Sequence, residues 1–236
     1  MKKKYLTILL LFIFSISYSS QFNLNRGEIR EQIRNNIRDS VYDNYLIEDA
    51  TINNFINISQ DEIVRMTDCI EITFSTMAVS GQQEYDFPDN YRYLLRVGYN
   101  ILYSTPPAYY KLDWKNLGSL DSNLYWQNQT AGKPLEYYEK ESKYGLHPKP
   151  SAVYCSTYSI QLVYKGRADE LTSDSDEPFN SIGYLSDYTY LIIDGAEILC
   201  RRLLGEDTTA LENKYYAKIE LMRKEIQKKP DATIKR

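Results

Sequence analysis

The sequence predicts an α+β protein: a helical bundle of two N-terminal and two C-terminal helices around a central β-rich insertion. Three observations predict it. Ile29, Ile33, Ile37 and Val41, then Ile52, Phe55, Ile56, Ser59, Ile63 and Met66, recur at the spacing of one helix face. From Ile70 the period drops to two, as in Ile70, Ile72 and Phe74, and the strand-like pattern persists for about a hundred residues. Helical spacing returns with Leu185, Tyr188, Ile192, Leu199 and Leu203. The expected division is a leader-like segment over 1–22, a helical pair over 23–69, the insertion over 70–177, helices completing the bundle over 178–229, and a polar tail over 230–236.

Residues 1–22 open with Lys2, Lys3 and Lys4, then an apolar run over 6–16 too short to span a bilayer, then Ser17, Ser19 and Ser20. That is the form of a signal peptide. The other readings are an N-terminal hydrophobic helix, and a start assigned too early with the domain beginning near residues 22–26.

Next to the apolar stripe of the first helix, Arg26, Arg30, Arg34 and Arg38 also recur every four residues. Glu28, Glu31 and Asp39 lie among them, so a solvated face of intrahelical pairs is the plain expectation, each pair contributing about 0.3–0.5 kcal/mol. Contact with phosphates or an acidic neighbouring subunit is the sharper one. A polar break at Asp43, Asn44 and Tyr45 leads to the second helix, which begins at Glu48 or Asp49 and ends at Thr67.

In the insertion, Ser80-Gly81-Gln82 reads as a turn, Tyr85 and Phe87 alternate with Glu84 and Asp86, and Pro88 ends that strand. Its core is expected from Tyr109, Tyr110, Leu112, Trp114, Leu124, Tyr125, Trp126, Tyr137 and Tyr138. The clearest strand carries Tyr158, Ile160, Leu162 and Tyr164 and closes at Gly166. Asp174-Ser175-Asp176-Glu177-Pro178 is an acidic loop without the glycine and final glutamate of a calcium loop. Gly205 is placed to stop the third long helix. The fourth carries Leu211, Tyr215, Ile219, Met222 and Ile226, and its basic last turns suit a helix C-terminus.

The chain has 236 residues, enough for one domain with an elaborated subdomain, and a net charge of −4, which excludes general attraction to nucleic acid. Tyrosine is abundant, 23 against 7 Phe and 2 Trp, as suits half-exposed sheets and interfaces. Cys69, Cys155 and Cys200 form neither a disulfide framework nor zinc spacing, and are expected as buried thiols. His147 is the one histidine; no nucleophile–base motif, Gly-rich phosphate loop or metal-ligand spacing accompanies it. The sequence therefore points away from an enzyme and needs no cofactor.

Several segments in this order carry a family resemblance. They are Ile56-Asn57 with Asp61-Glu62-Ile63-Val64-Arg65, Gly81-Gln82-Gln83-Glu84-Tyr85-Asp86-Phe87-Pro88, Leu94-Leu95-Arg96-Val97, Pro134-Leu135-Glu136-Tyr137, Leu146-His147-Pro148-Lys149-Pro150 and Leu162-Val163-Tyr164-Lys165-Gly166. With them, residues 24–228 resemble the phage adaptor, or head–tail connector, proteins of tailed bacteriophages. The resemblance implies a structural virion protein at the head–tail interface: a homo-oligomeric ring, usually a dodecamer, beneath the portal. Such a ring extends the DNA channel and offers a platform to tail proteins or a second connector. It implies no catalysis, no cofactor and no membrane contact for the mature domain. Arg26, Arg30, Arg34 and Arg38 are then the expected DNA or subunit contacts, and Arg223, Lys224, Lys228 and Lys229 the expected portal or tail contacts. Assembly in the host cytoplasm favours an early-assigned start over a true leader. The alternative is a secreted or periplasmic Tyr-rich surface-binding protein without catalysis.

Overall fold

The computed structural model describes residues 24–39, 46–100, 106, 108–122 and 126–228. The leader-like segment 1–22, Val41, the break at 43–45, Leu124, Tyr125, Lys229 and the tail 230–236 lie outside the described residues. The chain forms an α+β fold with a strand-rich centre between helices. It divides into two compact units: residues 1–67 with 168–236, and Asp68–Arg167.

The first unit is helical. α1 (Arg26–Ile37) begins in a capping box: Asn25 accepts from the Glu28 amide at 2.9 Å, and Glu28 accepts from the Asn25 amide at 3.0 Å. Ile29, Ile33 and Ile37 are buried as their spacing requires. Arg38 ends the helix in the left-handed region, φ 59°. α2 (Asp49–Thr67) buries Ile52, Ile56, Ser59, Gln60, Ile63, Val64 and Thr67. The inward face thus sits slightly off the expected one, with Met66 exposed and Phe55 half-buried.

The polar residues on that face have a task. The Asn57 amide donates to and accepts from the Leu171 backbone. Gln60, 1% exposed, donates to the Asp169 carbonyl and accepts from the Phe179 amide at 2.7 Å. An extended segment carries backbone groups that no helix pairs, and these two side chains satisfy them. The segment starting at 168 therefore belongs to the helical unit, ten residues before the change of period at Pro178.

α4 (Thr189–Leu203), preceded by a 3-10 run over Gly183–Tyr188, packs against both α1 and α2, and α5 (Thr209–Lys228) packs against α4 and α2. Leu203 was expected inward but is exposed, because Leu191, Ile192, Ala196, Ile198 and Cys200 already fill the inner side of α4. Gly205, φ +79°, stops that helix: its amide bonds Arg202, and the Glu206 amide bonds Arg201. Gly195 lets the helices close up, since a Cβ there would lie 2.8 Å from Tyr215 Oη and 2.9 Å from Ser59 Oγ.

The second unit holds two four-stranded sheets. One, ordered β1-β8-β3-β4, is antiparallel throughout, with β1 (Glu71–Thr76), β8 (Ile160–Gly166), β3 (Tyr91–Asn100) and β4 (Tyr109–Lys111). The other is ordered β2-β7-β6-β5, with β2 (Glu84–Asp86), β7 (Lys143–His147), β6 (Glu136–Lys140) and β5 (Asp113–Trp114), the last pairing parallel to β6. Val97, Tyr99, Ile160, Leu162 and Tyr164 of the first sheet share a core with Tyr85, Tyr137, Tyr144 and Leu146 of the second. Phe87 bridges them, stacked on Tyr91 at 3.8 Å and tilted against Tyr144 at 5.3 Å.

This core accounts for much of the tyrosine. The hydroxyls of Tyr99 and Tyr110 donate to the Tyr154 and Pro134 carbonyls, and that of Tyr164 to the Asn90 side chain. These three rings are packed into the core while their polar ends stay satisfied. One expected core ring is not there, Trp114, and Tyr158, expected at the start of the clearest strand, lies outside it; each is 57% exposed. Trp114 sits on a two-residue edge strand, and Tyr158 precedes the start of β8, so no second layer covers either.

On the other side of the second sheet, α3 (Leu117–Asp121) and Trp126 cover Tyr138. Tyr138 is fully buried, edge-on to Trp126 at 5.2 Å, and directly opposite Gly145 on β7.

Candidate functional site

The arginine stripe is where sequence and structure differ most. Its partners come from outside α1 rather than from the helix itself. Arg26 and Arg30 both bind Asp174, at 2.8 and 2.9 Å, and the Arg26 guanidinium also donates to the Leu171 carbonyl. Arg34 is 1% exposed and bonds Asp39 at 2.8 Å, the Ile47 carbonyl at 3.0 Å, and Asp49. Asp39, also buried, accepts from the Leu46 and Ile47 amides. Exposed-pair energies therefore do not describe Arg34, which holds the start of α2 against the end of α1. Arg38 is the exposed member of the four.

The acidic loop is the counterpart of this stripe. Asp176 takes the Thr172 and Ser173 amides, both at 2.7 Å, which folds the loop so that Asp174 meets α1. The Arg30 and Arg26 guanidiniums hold the Asp174 carboxyl well below the usual carboxylate range. A carboxylate with a depressed folded pKa stabilises the protein above its unfolded pKa of about 3.9, and that contribution is lost as pH falls through the folded value. Asp174→Asn should therefore lower the thermal midpoint at neutral pH. The gap to the unsubstituted protein should shrink steadily below about pH 4. A gap independent of pH between 7 and 2 would show that the loop is held without this charge.

A groove of about 430 Å³ runs between α2, α4 and α5, lined by Ile58, Glu62, Arg65, Leu199, Arg202 and Tyr216 among others. Two of its acids are engaged: Glu62 accepts from Tyr215 and Tyr216 Oη, both at 3.2 Å, and Glu212 pairs with Arg202 at 2.7 Å. Burial, then the Glu62 charge, raises both tyrosine hydroxyls above their ordinary pKa, so neither is a base near neutral pH. At the far end of α5, Arg223, Lys224 and Lys228 are exposed. Arg223 and Lys224 lie 3.8 Å from Glu220, a loose contact that leaves them open to other partners.

His147 is half-buried, edge-on to Trp126 at 5.8 Å. Cys69 and Cys200 are buried free thiols, as expected, while Cys155 is only partly buried. Burial pushes the Cys200 thiol up to about 11, far from a nucleophile. Among the described residues no group of three or more His, Cys, Asp or Glu could hold a metal ion, and no helix is long and apolar enough to cross a membrane.

With no reactive constellation to follow, comparison with known proteins decides the assignment. The family model of the SU10 adaptor protein matches residues 24–235, which spans both units. The chain belongs to the SU10 adaptor family. It is a phage structural adaptor and thereby a virion component, of a structural rather than a catalytic family. No curated protein matches the chain. Sequence reasoning missed the buried role of Arg34 and the adaptor's use of Asp174 as a shared counter-ion, although the four-residue arginine spacing marked the helix that carries both.

Proposed function

We propose that this adaptor assembles as a homo-oligomeric ring, most simply a dodecamer, which joins the portal to the tail and extends the DNA channel. The observation that carries the proposal is the family match over both units. The structure supports it in a second way: the unit that would bear load is a four-helix packing with internally paired charges, leaving other cations on its surface. Exposed Arg38 is the member of the stripe available to a channel or a neighbouring subunit. Arg26, Arg30 and Arg34 would shape that surface while bound within it. Exposed Arg223, Lys224 and Lys228, continued in sequence by Lys229, would meet an acidic face of the portal or of a tail protein. Phosphate contacts of Arg38 would be weak and independent of sequence, as a sliding duplex requires.

Native mass spectrometry of the purified chain, alone and with the portal of the same phage, tests the reading. A ring and a ring–portal complex are expected. The triple change of Arg223, Lys224 and Lys228 to Gln should leave the fold intact and weaken portal binding at least tenfold, most strongly at low salt. Unchanged portal binding would remove the basic end of α5 from the interface. A chain that neither closes a ring nor binds the portal would overturn the proposal.

A further inference from the structure

We propose that β1 is a docking edge for a second copy of this chain, with β1 of one subunit pairing antiparallel to β4 of the next. The inference deepens the ring reading and rests on it. It starts from how the four sheet edges are protected. Exposed strand edges invite pairing, and proteins blunt them with short strands, charges, Pro or bulges. In the second sheet, β2 has three residues, two of them the acids Glu84 and Asp86, and β5 has two. In the first sheet, β4 has three residues and ends at Lys111. β1 differs: six residues, without Lys, Arg or Pro, its one charge at the first position, Glu71, and in unbroken register with β8. Exposed Phe74 lies within it, and exposed Met77 and Val79 follow it.

The hydrogen-bond phase shows which groups face outward. The Gly166 amide bonds the Ile70 carbonyl, so residues 70, 72, 74 and 76 pair with β8, while Glu71, Thr73 and Ser75 turn their backbone groups to the free edge. The Leu112 amide bonds the Val97 carbonyl, so Leu112 and Tyr110 pair with β3, while Tyr109 and Lys111 turn theirs outward. These outward residues carry their side chains on the same face of the sheet, away from the core that holds Leu162, Val97 and Tyr99.

β1 and β4 are therefore complementary edges of one sheet. Its strands alternate in direction, so β4 of a second copy continues the alternation beside β1. Setting Thr73 opposite Tyr109 places Glu71 opposite Lys111, with Glu71 between that lysine and its own Lys165, 3.2 Å away. Opposite charges directly across strands are favourable. Two different edges meeting head to tail make a heterologous contact, the kind that closes a ring.

The test compares the assembly of full-length variants by native mass spectrometry and by sedimentation across a concentration series. Thr73→Pro removes one outward amide while sparing the β1–β8 ladder. It should raise the concentration for half-assembly by about tenfold or more, about 1.4 kcal/mol. Thr73→Val, which keeps the amide, should assemble as the unsubstituted chain does. Glu71→Lys alone should weaken assembly, and Glu71→Lys combined with Lys111→Glu should restore it. This charge exchange decides the matter if Thr73→Pro fails to fold by circular dichroism. A ring that forms equally well with folded Thr73→Pro, or that the charge exchange does not restore, overturns the interface and leaves the ring reading standing. A dimer weakened by Glu71→Lys but insensitive to Lys111→Glu would mean β1 pairs with itself, which also overturns it. An unsubstituted chain that stays monomeric alone and neither binds the portal nor forms a ring with it overturns the ring reading, and this interface with it.

Discussion

Replacing Gly145 with alanine should destabilise the β unit by about 3 kcal/mol, the upper range for overpacking a filled core. A Cβ on Gly145 would lie 2.0 Å from Tyr138 Cζ and 2.3 Å from Cε1, far inside contact distance. The ring has no cheap way out. It is fully buried, Trp126 stands edge-on against it at 5.2 Å, and its hydroxyl reaches Glu84 at 3.3 Å. An aromatic ring laid over a cross-strand glycine fills the space that the missing side chain leaves. Both tryptophans of the chain, Trp114 and Trp126, lie in this unit, so intrinsic fluorescence during urea unfolding reads its stability directly. Tyr138→Phe keeps the clashing ring atoms and should not rescue Gly145→Ala. Tyr138→Leu removes them, and the double variant should be more stable than the sum of the single losses predicts. A Gly145→Ala loss below about 0.5 kcal/mol would mean the ring swings aside freely, and the packing described for Trp126 and Tyr138 would be wrong.

Most elements were legible because each rests on a local signal. The isoleucines of α1 fix its buried face, Gly205 stops α4 where only a left-handed residue fits, and Ile160, Leu162 and Tyr164 alternate into the core. What was not legible depends on partners distant in sequence. Gln60 faces inward because the backbone at Asp169 and Phe179, more than a hundred residues on, comes to it for hydrogen bonds. A polar residue on an apolar face looks like an error in the pattern until those groups arrive. Trp114 shows the converse: its ring fits a core by type, but burial needs a covering layer, and the edge of the second sheet lacks one. The candidate surfaces were half legible. The arginine spacing identified α1, yet which arginines it leaves exposed follows from Asp39, Asp49 and Asp174, all outside that helix.

Arg34 carries the other large expected effect. Its guanidinium is out of solvent, held by the Asp39 carboxylate, the Ile47 carbonyl and Asp49. A buried pair adds little net stability against an apolar replacement of both partners, because desolvating two charges offsets their attraction. Removing one partner is different, since the other stays buried without compensation. Arg34→Met should therefore destabilise the helical unit by about 3–5 kcal/mol. Arg34→Lys should fail to restore most of it, because an ammonium cannot reproduce the planar fork that reaches three acceptors at once. Asp39→Asn in the Arg34→Met background should recover part of the loss: the amide removes the uncompensated charge and keeps one acceptor oxygen for the Leu46 amide, while the Ile47 amide, now held by the other carboxylate oxygen, loses its acceptor. Urea unfolding followed by far-ultraviolet circular dichroism, dominated by the helices, measures all three. Additive losses for Arg34→Met and Asp39→Asn would show that the two residues act independently, and the stripe on α1 would then be a set of separate surface charges rather than one buried joint.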